Sequence, residues 1–167
     1  MYTNNKVGNV IYKVIEYFGD DVRRINHFLK VYGYVKLIGE CENLDDSMQE
    51  ILEVTAVLHD VGIKGAEQKY NSSAGHYQQL EGPPVAKKIL DELGYPDDFV
   101  ERVMYLIAHH HTYTNIDGMD YQILVEADFL VNADEDRLSS DAIENFKEKI
   151  FKTTTGIAVL ENNYLNL

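Results

Sequence analysis

"EVTAVLHDVGIKG", Glu53–Gly65, is the stretch on which the reading of the chain turns. Through Leu58 its apolar residues recur at the three- and four-residue intervals of a helix buried along one side. His59 then falls on the same side as Ala56, Thr55, Leu52 and Ile51, because positions three, four and seven apart share a face of an α-helix. Asp60 follows directly. A carboxylate taken out of water without a partner costs several kcal/mol, so an imidazole and a carboxylate entering a core must be neutralised, hydrogen-bonded or bound to a cation.

The same helical spacing runs through the rest of the chain, which carries only 3 prolines in 167 residues. The expectation is one all-α domain spanning 1–167, a compact bundle of about six to seven helices. The spacing predicts helices at Lys6–Phe18, Asp21–Gly39, Ser47–Asp60, Pro83–Gly94, Asp97–His110, Tyr121–Asn132 and Ser139–Phe151. Asp45 or Ser47 before "MQEILEV", Pro83 and Pro84 in a first turn, and Asp97 after Pro96 supply starts; Gly94 supplies a stop. Two polar connections, "VGIKGAEQKYNSSAGHYQQLEG" and "HTYTNIDGMD", read as long loops, one directly after His59-Asp60 and the other after His110. Loops above about 12 to 15 residues without structure of their own are uncommon unless functional. The tail "TTTGIAVLENNYLNL" reads either as packing on the body or as an association surface, which leaves a homodimer open.

A formal charge of −13 disfavours long nucleic acid and anionic membrane surfaces as partners, since both are polyanions held through Lys and Arg. A small phosphorylated substrate stays compatible, because a local cation reverses the field inside one cleft. Cys41 is the only cysteine, which removes intrachain disulfides and CxxC thiolate metal sites. The N-terminal "MYTNNKVGNVIYKVIEYFG" interrupts its apolar residues with Asn, Lys and Glu, and no run of about 20 apolar residues occurs, so the expected compartment is the cytoplasm.

The face test finds further polar residues turned inward. Asp128 shares its face with Val125, Leu124, Tyr121 and Val131, and His27 sits beside Val31 and Tyr34 at the edge of an apolar stripe. In the triplet at 109 to 111, His109 aligns with Tyr105, Arg102, Glu101 and Asp98, whereas His110 aligns with Ile107, Leu106, Val103 and Phe99; His111 is the second inward candidate. A single histidine beside a core is usually satisfied by a backbone carbonyl. No Lys or Arg shares a face with Asp60 or Asp128 in their helices, however, and imidazoles gathered with carboxylates from different helices form the ligand set of a divalent transition metal.

His27, the pair His59-Asp60 in "VLHDVGIK", and Asp128 in "VEADFLVN" resemble the signature of HD-domain phosphohydrolases. The resemblance covers about 24–132, with the helices at 6–18 and 139–151 flanking it. It implies an all-α fold in which His27, His59, Asp60 and Asp128 bind one divalent metal. It also implies a second ion in many members, held by a histidine at the start of the helix after the doublet and another near the end of the next helix. The latter matches His110, with His111 beside it; the former falls in "LEGPPVAKKIL", where Glu81 stands instead, and His76 is a further option. The implied cofactor is one or two ions of Fe, Mn, Co or Mg. The implied reaction is hydrolysis of a phosphoester or phosphoanhydride bond in a nucleotide or similar small phosphorylated substrate; for it Asp60 is the candidate that orients the attacking water, His111 the candidate that protonates the leaving oxygen, and Lys64, one turn past the doublet, the candidate phosphate contact, as an ammonium near the metal adds a second positive charge. Two other readings fit the same motif: a non-catalytic HD module that senses a nucleotide or metal, and a dinuclear iron oxygenase on the same scaffold.

Overall fold

The computed structural model describes residues 6–166; the ends of the expected 1–167 domain, residues 1–5 and 167, lie outside the described residues. Within them the chain forms nine α-helices and a closing π-helical turn: α1 Lys6–Phe18, α2 Val22–Cys41, α3 Asp46–Leu58, α4 Ile63–Tyr70, α5 Gly75–Glu92, α6 Asp97–His109, α7 Met119–Glu135, α8 Ser140–Ile150, α9 Thr154–Leu160 and Glu161–Leu165. The fold is all-α, and no described helix is long and apolar enough to cross a membrane.

Local chemistry sets most of the boundaries. Asp21 accepts from the Arg24 amide at 3.2 Å to start α2, and Asp45, not Ser47, accepts from the Met48 amide at 2.9 Å to start α3. Gly94, at φ +75°, turns the chain out of α5 in the left-handed conformation that costs glycine least.

Two expected loops prove more ordered. The stretch after the doublet holds all of α4 and the first turns of α5, so Pro83 and Pro84 lie inside a helix and not in its first turn. The eight-residue α4 buries only Ile63 and Ala66, too few positions to show a period. Besides the apolar packing of Ala86, Ile89 and Leu90, α5 makes a close backbone approach. A Cβ on Gly62 would lie 2.3 Å from the Gln78 carbonyl oxygen and 2.6 Å from the Gly82 nitrogen, and one on Gly82 would lie 2.6 Å from Ile107 Cγ2. The second connection is irregular only until α7 begins at Met119. Arg102 clamps it through Asp117 (2.9 and 3.0 Å) and Asp120 (2.7 and 2.8 Å).

Helix α3 is central. Every residue from Leu52 to Leu58 is buried, because α1, α2, α6 and α7 all pack against it. On one side Val31, Val35, Leu124 and Leu130 form a core that extends to Phe151 and Leu160; on the other Val10, Phe18, Phe28, Leu90 and Val103 form a second, and Ile51 touches both. The C-terminal tail packs on the body. Buried Glu126 accepts from the Lys152 and Thr153 amides at 2.7 and 3.0 Å and from the Thr153 hydroxyl, and the Tyr164 hydroxyl donates to the Leu130 carbonyl at 2.6 Å.

Candidate metal centre

The end of α3 delivers His59 as its C-terminal cap, wholly buried, and Asp60 follows in the turn that Gly62 and Gly82 press against α5. α2 contributes His27 and α7 contributes Asp128. The His27 and His59 Nε2 atoms stand 3.3 Å apart, and Asp128 Oδ1 lies 3.2 Å from the first and 3.5 Å from the second. Asp60 places Oδ2 3.5 Å from His27 Nε2 and Oδ1 3.5 Å from His59 Nε2. Its Oδ1 also lies 3.7 Å from Nε2 of His110, the cap residue of α6.

The outer nitrogens show which way these rings are turned. His59 Nδ1–H donates to the Ala56 carbonyl and His110 Nδ1–H to the Ile107 carbonyl, each at 2.7 Å. A carbonyl only accepts, so each Nδ1 carries a proton, and it is Nε2 whose lone pair each ring in its neutral form presents to the centre. His27 Nδ1–H donates to Glu135 Oε2 at 2.9 Å, and Glu135 also holds Lys30 at 3.1 Å. This carboxylate–imidazole arrangement is the one that orients metal-ligating histidines. Lone pairs 3.3 Å apart repel unless a positive charge lies between them. His110 Nε2 is buried with no hydrogen-bond partner among the described residues.

Protons meet part of that demand. Burial opposes the His59 imidazolium, yet Asp60 and Asp128 outweigh it and raise its pKa to about 9; His27 is raised against burial by Asp128 and Asp60. Burial would likewise raise both aspartates, but His59 and His110 hold Asp60, and His27 and His59 hold Asp128, well below the usual carboxylate range. Two carboxylates and converging imidazole nitrogens fit a divalent cation, which supplies in one place the charge that protons otherwise supply.

Other expected residues are placed differently. Glu81 does not face this centre: it is bound by Lys69 and the Tyr70 hydroxyl (3.1 Å), with Lys69 holding its pKa down, in a groove between α1, α4 and α5. The reason is the earlier start of α5, which puts Gln78 on the cleft side and Glu81 beside α4. Lys64 does not reach the cleft either; its ammonium donates to the Tyr17 carbonyl at the end of α1, a helix terminus that favours a cation. His111 lines the cleft, but burial and then His110 push its pKa down to about 4, so at neutral pH it carries no acid proton to give. His76 packs its ring at a tilt against Tyr77 and His109 donates to the Tyr105 carbonyl, both outside the cluster.

The cleft over the centre has a volume of about 440 Å³ and includes side chains that the face test overlooked: Arg23, Arg24, Gln78, Asn132 and Glu135. Asn132 and Glu135 were findable, since they stand four and seven residues beyond Asp128 on one helix face. Gln78 was hidden by the assignment of its segment to a loop.

A family model described as "HD domain" matches residues 24–144. The chain belongs to the HD domain family. Among solved structures, this HD domain is similar to the crystal structure of a predicted HD superfamily hydrolase from an uncultured Thermotogales bacterium. The TM-score is 0.64 at 22% identity, over 94% of this chain and 82% of that one, a likeness of fold. A search of curated proteins gave no match.

Proposed function

We propose that this HD domain is a metal-dependent phosphohydrolase that cleaves a phosphoester or phosphoanhydride bond of a nucleotide or similar small phosphorylated substrate. The observation that carries the reading is the 3.3 Å approach of the His27 and His59 Nε2 atoms, with Asp60 and Asp128 closing the same point. His27, His59, Asp60 and Asp128 would hold a divalent ion there, which would supply Lewis acidity toward water and positive charge toward phosphoryl oxygens.

The chain's own contribution is binding and orientation. Asp60, with Oδ1 3.5 Å from His59 Nε2 and 3.7 Å from His110 Nε2, stands between the two imidazoles and would orient the attacking water. Glu135 fixes the His27 ring. The cleft carries Asp21, Asp60, Asp128, Glu135 and Asp136 against Arg23 and Arg24, so it repels a phosphate until a cation is bound. Arg24 is committed to Asp21 and Glu67 at 2.9 and 2.6 Å. Arg23, exposed at the rim with no ion pair among the described residues, takes the phosphate contact expected of Lys64. The substrate is a small molecule, in keeping with a cleft of about 440 Å³ over the centre.

The test is elemental analysis of the purified protein, then reloading with manganese or iron and assay of phosphate release from a panel of nucleotides and dinucleotides. Bound metal and turnover, both lost in Asp128→Asn, are expected. Absence of metal and of turnover after reloading refutes the proposal. Tight nucleotide binding without phosphate release turns the reading to a sensor module, and oxygen uptake by the iron-loaded protein turns it to an oxygenase.

A further inference from the structure

Beside the first cluster lies a second group whose ligand atoms fall within 4.8 Å of one another: Asp60, His110 and His111. It has only one carboxylate, and that carboxylate already serves the first position. The side chain on the α5 side of this group is Gln78, 8% exposed. Its amide nitrogen donates to the Ser73 carbonyl at 2.6 Å, an atom that accepts only, so its oxygen must face His111, and it does so at 3.3 Å from Nε2. The Gln79 side-chain oxygen accepts from the His111 amide at 3.0 Å and from the Thr112 hydroxyl at 3.2 Å, and a Cβ on Gly75 would lie 2.7 Å from the His111 ring. Both glutamines and the glycine thus pin His111, and the Gln78 oxygen is spent on an imidazole N–H.

From this we infer that the protein holds one ion tightly at His27, His59, Asp60 and Asp128, and a second only loosely at Asp60, His110 and His111, with Gln78 as the residue that keeps the second position weak. The inference rests on the metal-centre reading above. A neutral carboxamide brings no charge to offset the repulsion between two cations that share Asp60, and its oxygen is engaged elsewhere. Replacing it with an imidazole or a carboxylate supplies a ligand from the same helix turn and raises second-ion affinity, by roughly ten- to a hundredfold on the scale of such changes around metal sites.

The experiment loads metal-free protein with Mn(II), removes excess by desalting, counts retained ions by elemental analysis, and follows binding by calorimetric titration and by the spin-coupled signal of paired Mn(II) ions. Wild-type protein is expected to retain one ion and to show a second, weak binding step. Gln78→His and Gln78→Glu are expected to retain two ions with a coupled signal, and His110→Ala to retain the first while losing the weak step. Two ions retained by wild type, or one ion retained by both folded Gln78 variants, overturns the inference while leaving the metal centre intact. Wild-type protein that binds no ion at any concentration overturns the metal-centre reading itself.

Discussion

Replacing Glu135 with Gln isolates the electrostatic support of one ligand without touching the centre. Glu135 Oε2 accepts from His27 Nδ1–H at 2.9 Å and Oε1 accepts from Lys30 at 3.1 Å, so the carboxylate both orients the ring and makes its Nε2 more basic. Glutamine keeps a hydrogen-bonding oxygen of the same reach but removes the negative charge. Losing such a partner of a ligating histidine lowers metal affinity by about 10- to 100-fold, which corresponds to about 1.4 to 2.7 kcal/mol of binding free energy. Competition against a chelating dye measures it directly. Lys30→Gln is the control: Lys30 is 49% exposed, and a solvent-screened pair of this kind is worth about 0 to 1 kcal/mol, so its variant should stay within about fivefold of wild type. Unchanged affinity in Glu135→Gln, alongside a large loss in His27→Ala, refutes the reasoning, since His27 would then ligate without help from its outer nitrogen.

Four further outcomes follow from the same geometry. The metal-free protein should lose stability with rising pH: His59 is raised to about 9 from 6.5, so its contribution is complete below about 6.5 and lost as pH rises through about 9. Thermal melts in chelator should therefore show Tm falling across that window, and melts of metal-loaded protein should not show this fall. Gly62→Ala puts a Cβ 2.3 Å from the Gln78 carbonyl oxygen, and because that neighbour is backbone the expected cost is about 1 to 3 kcal/mol or more, read by denaturant titration. Glu126→Gln exchanges one acceptor oxygen for an N–H group facing partners that already donate; about 1 to 3 kcal/mol is expected, with hydrogen exchange rising first in α9. Arg23→Gln should raise KM for a phosphorylated substrate about tenfold, the scale of one lost charge-assisted contact, whereas Lys64→Met should leave KM unchanged and lower Tm; equal effects of the two on KM would sink the assignment of the phosphate contact.

The helical class was legible because the period of 3.6 is a property of neighbouring residues, and α1, α2, α3 and α6 emerge within a few residues of their observed bounds. The inward polar residues were legible for the same reason. His27, His59, Asp128 and His110 interrupt apolar faces, and a core tolerates such interruptions only when each finds a polar partner. Glu81, placed by the resemblance, and Lys64, placed by its nearness to the doublet, lie elsewhere because their positions depend on α4 and on the true start of α5. Those are set by the contact of Gly62 with Gly82, a long-range approach that leaves no period in either segment.

What the sequence determined by itself was therefore that the protein is helical and that His27, His59, Asp60 and Asp128 enter inward-facing positions; that the four share one ion was what the HD resemblance implied. Only the tertiary structure decided which groups surround that point: Glu135 behind His27, Gln78 against His111, and Arg23 and not Lys64 at the rim. The physical reason is range. Helical spacing constrains side chains within one helix, whereas the partners of a buried charge are chosen by how separate helices pack.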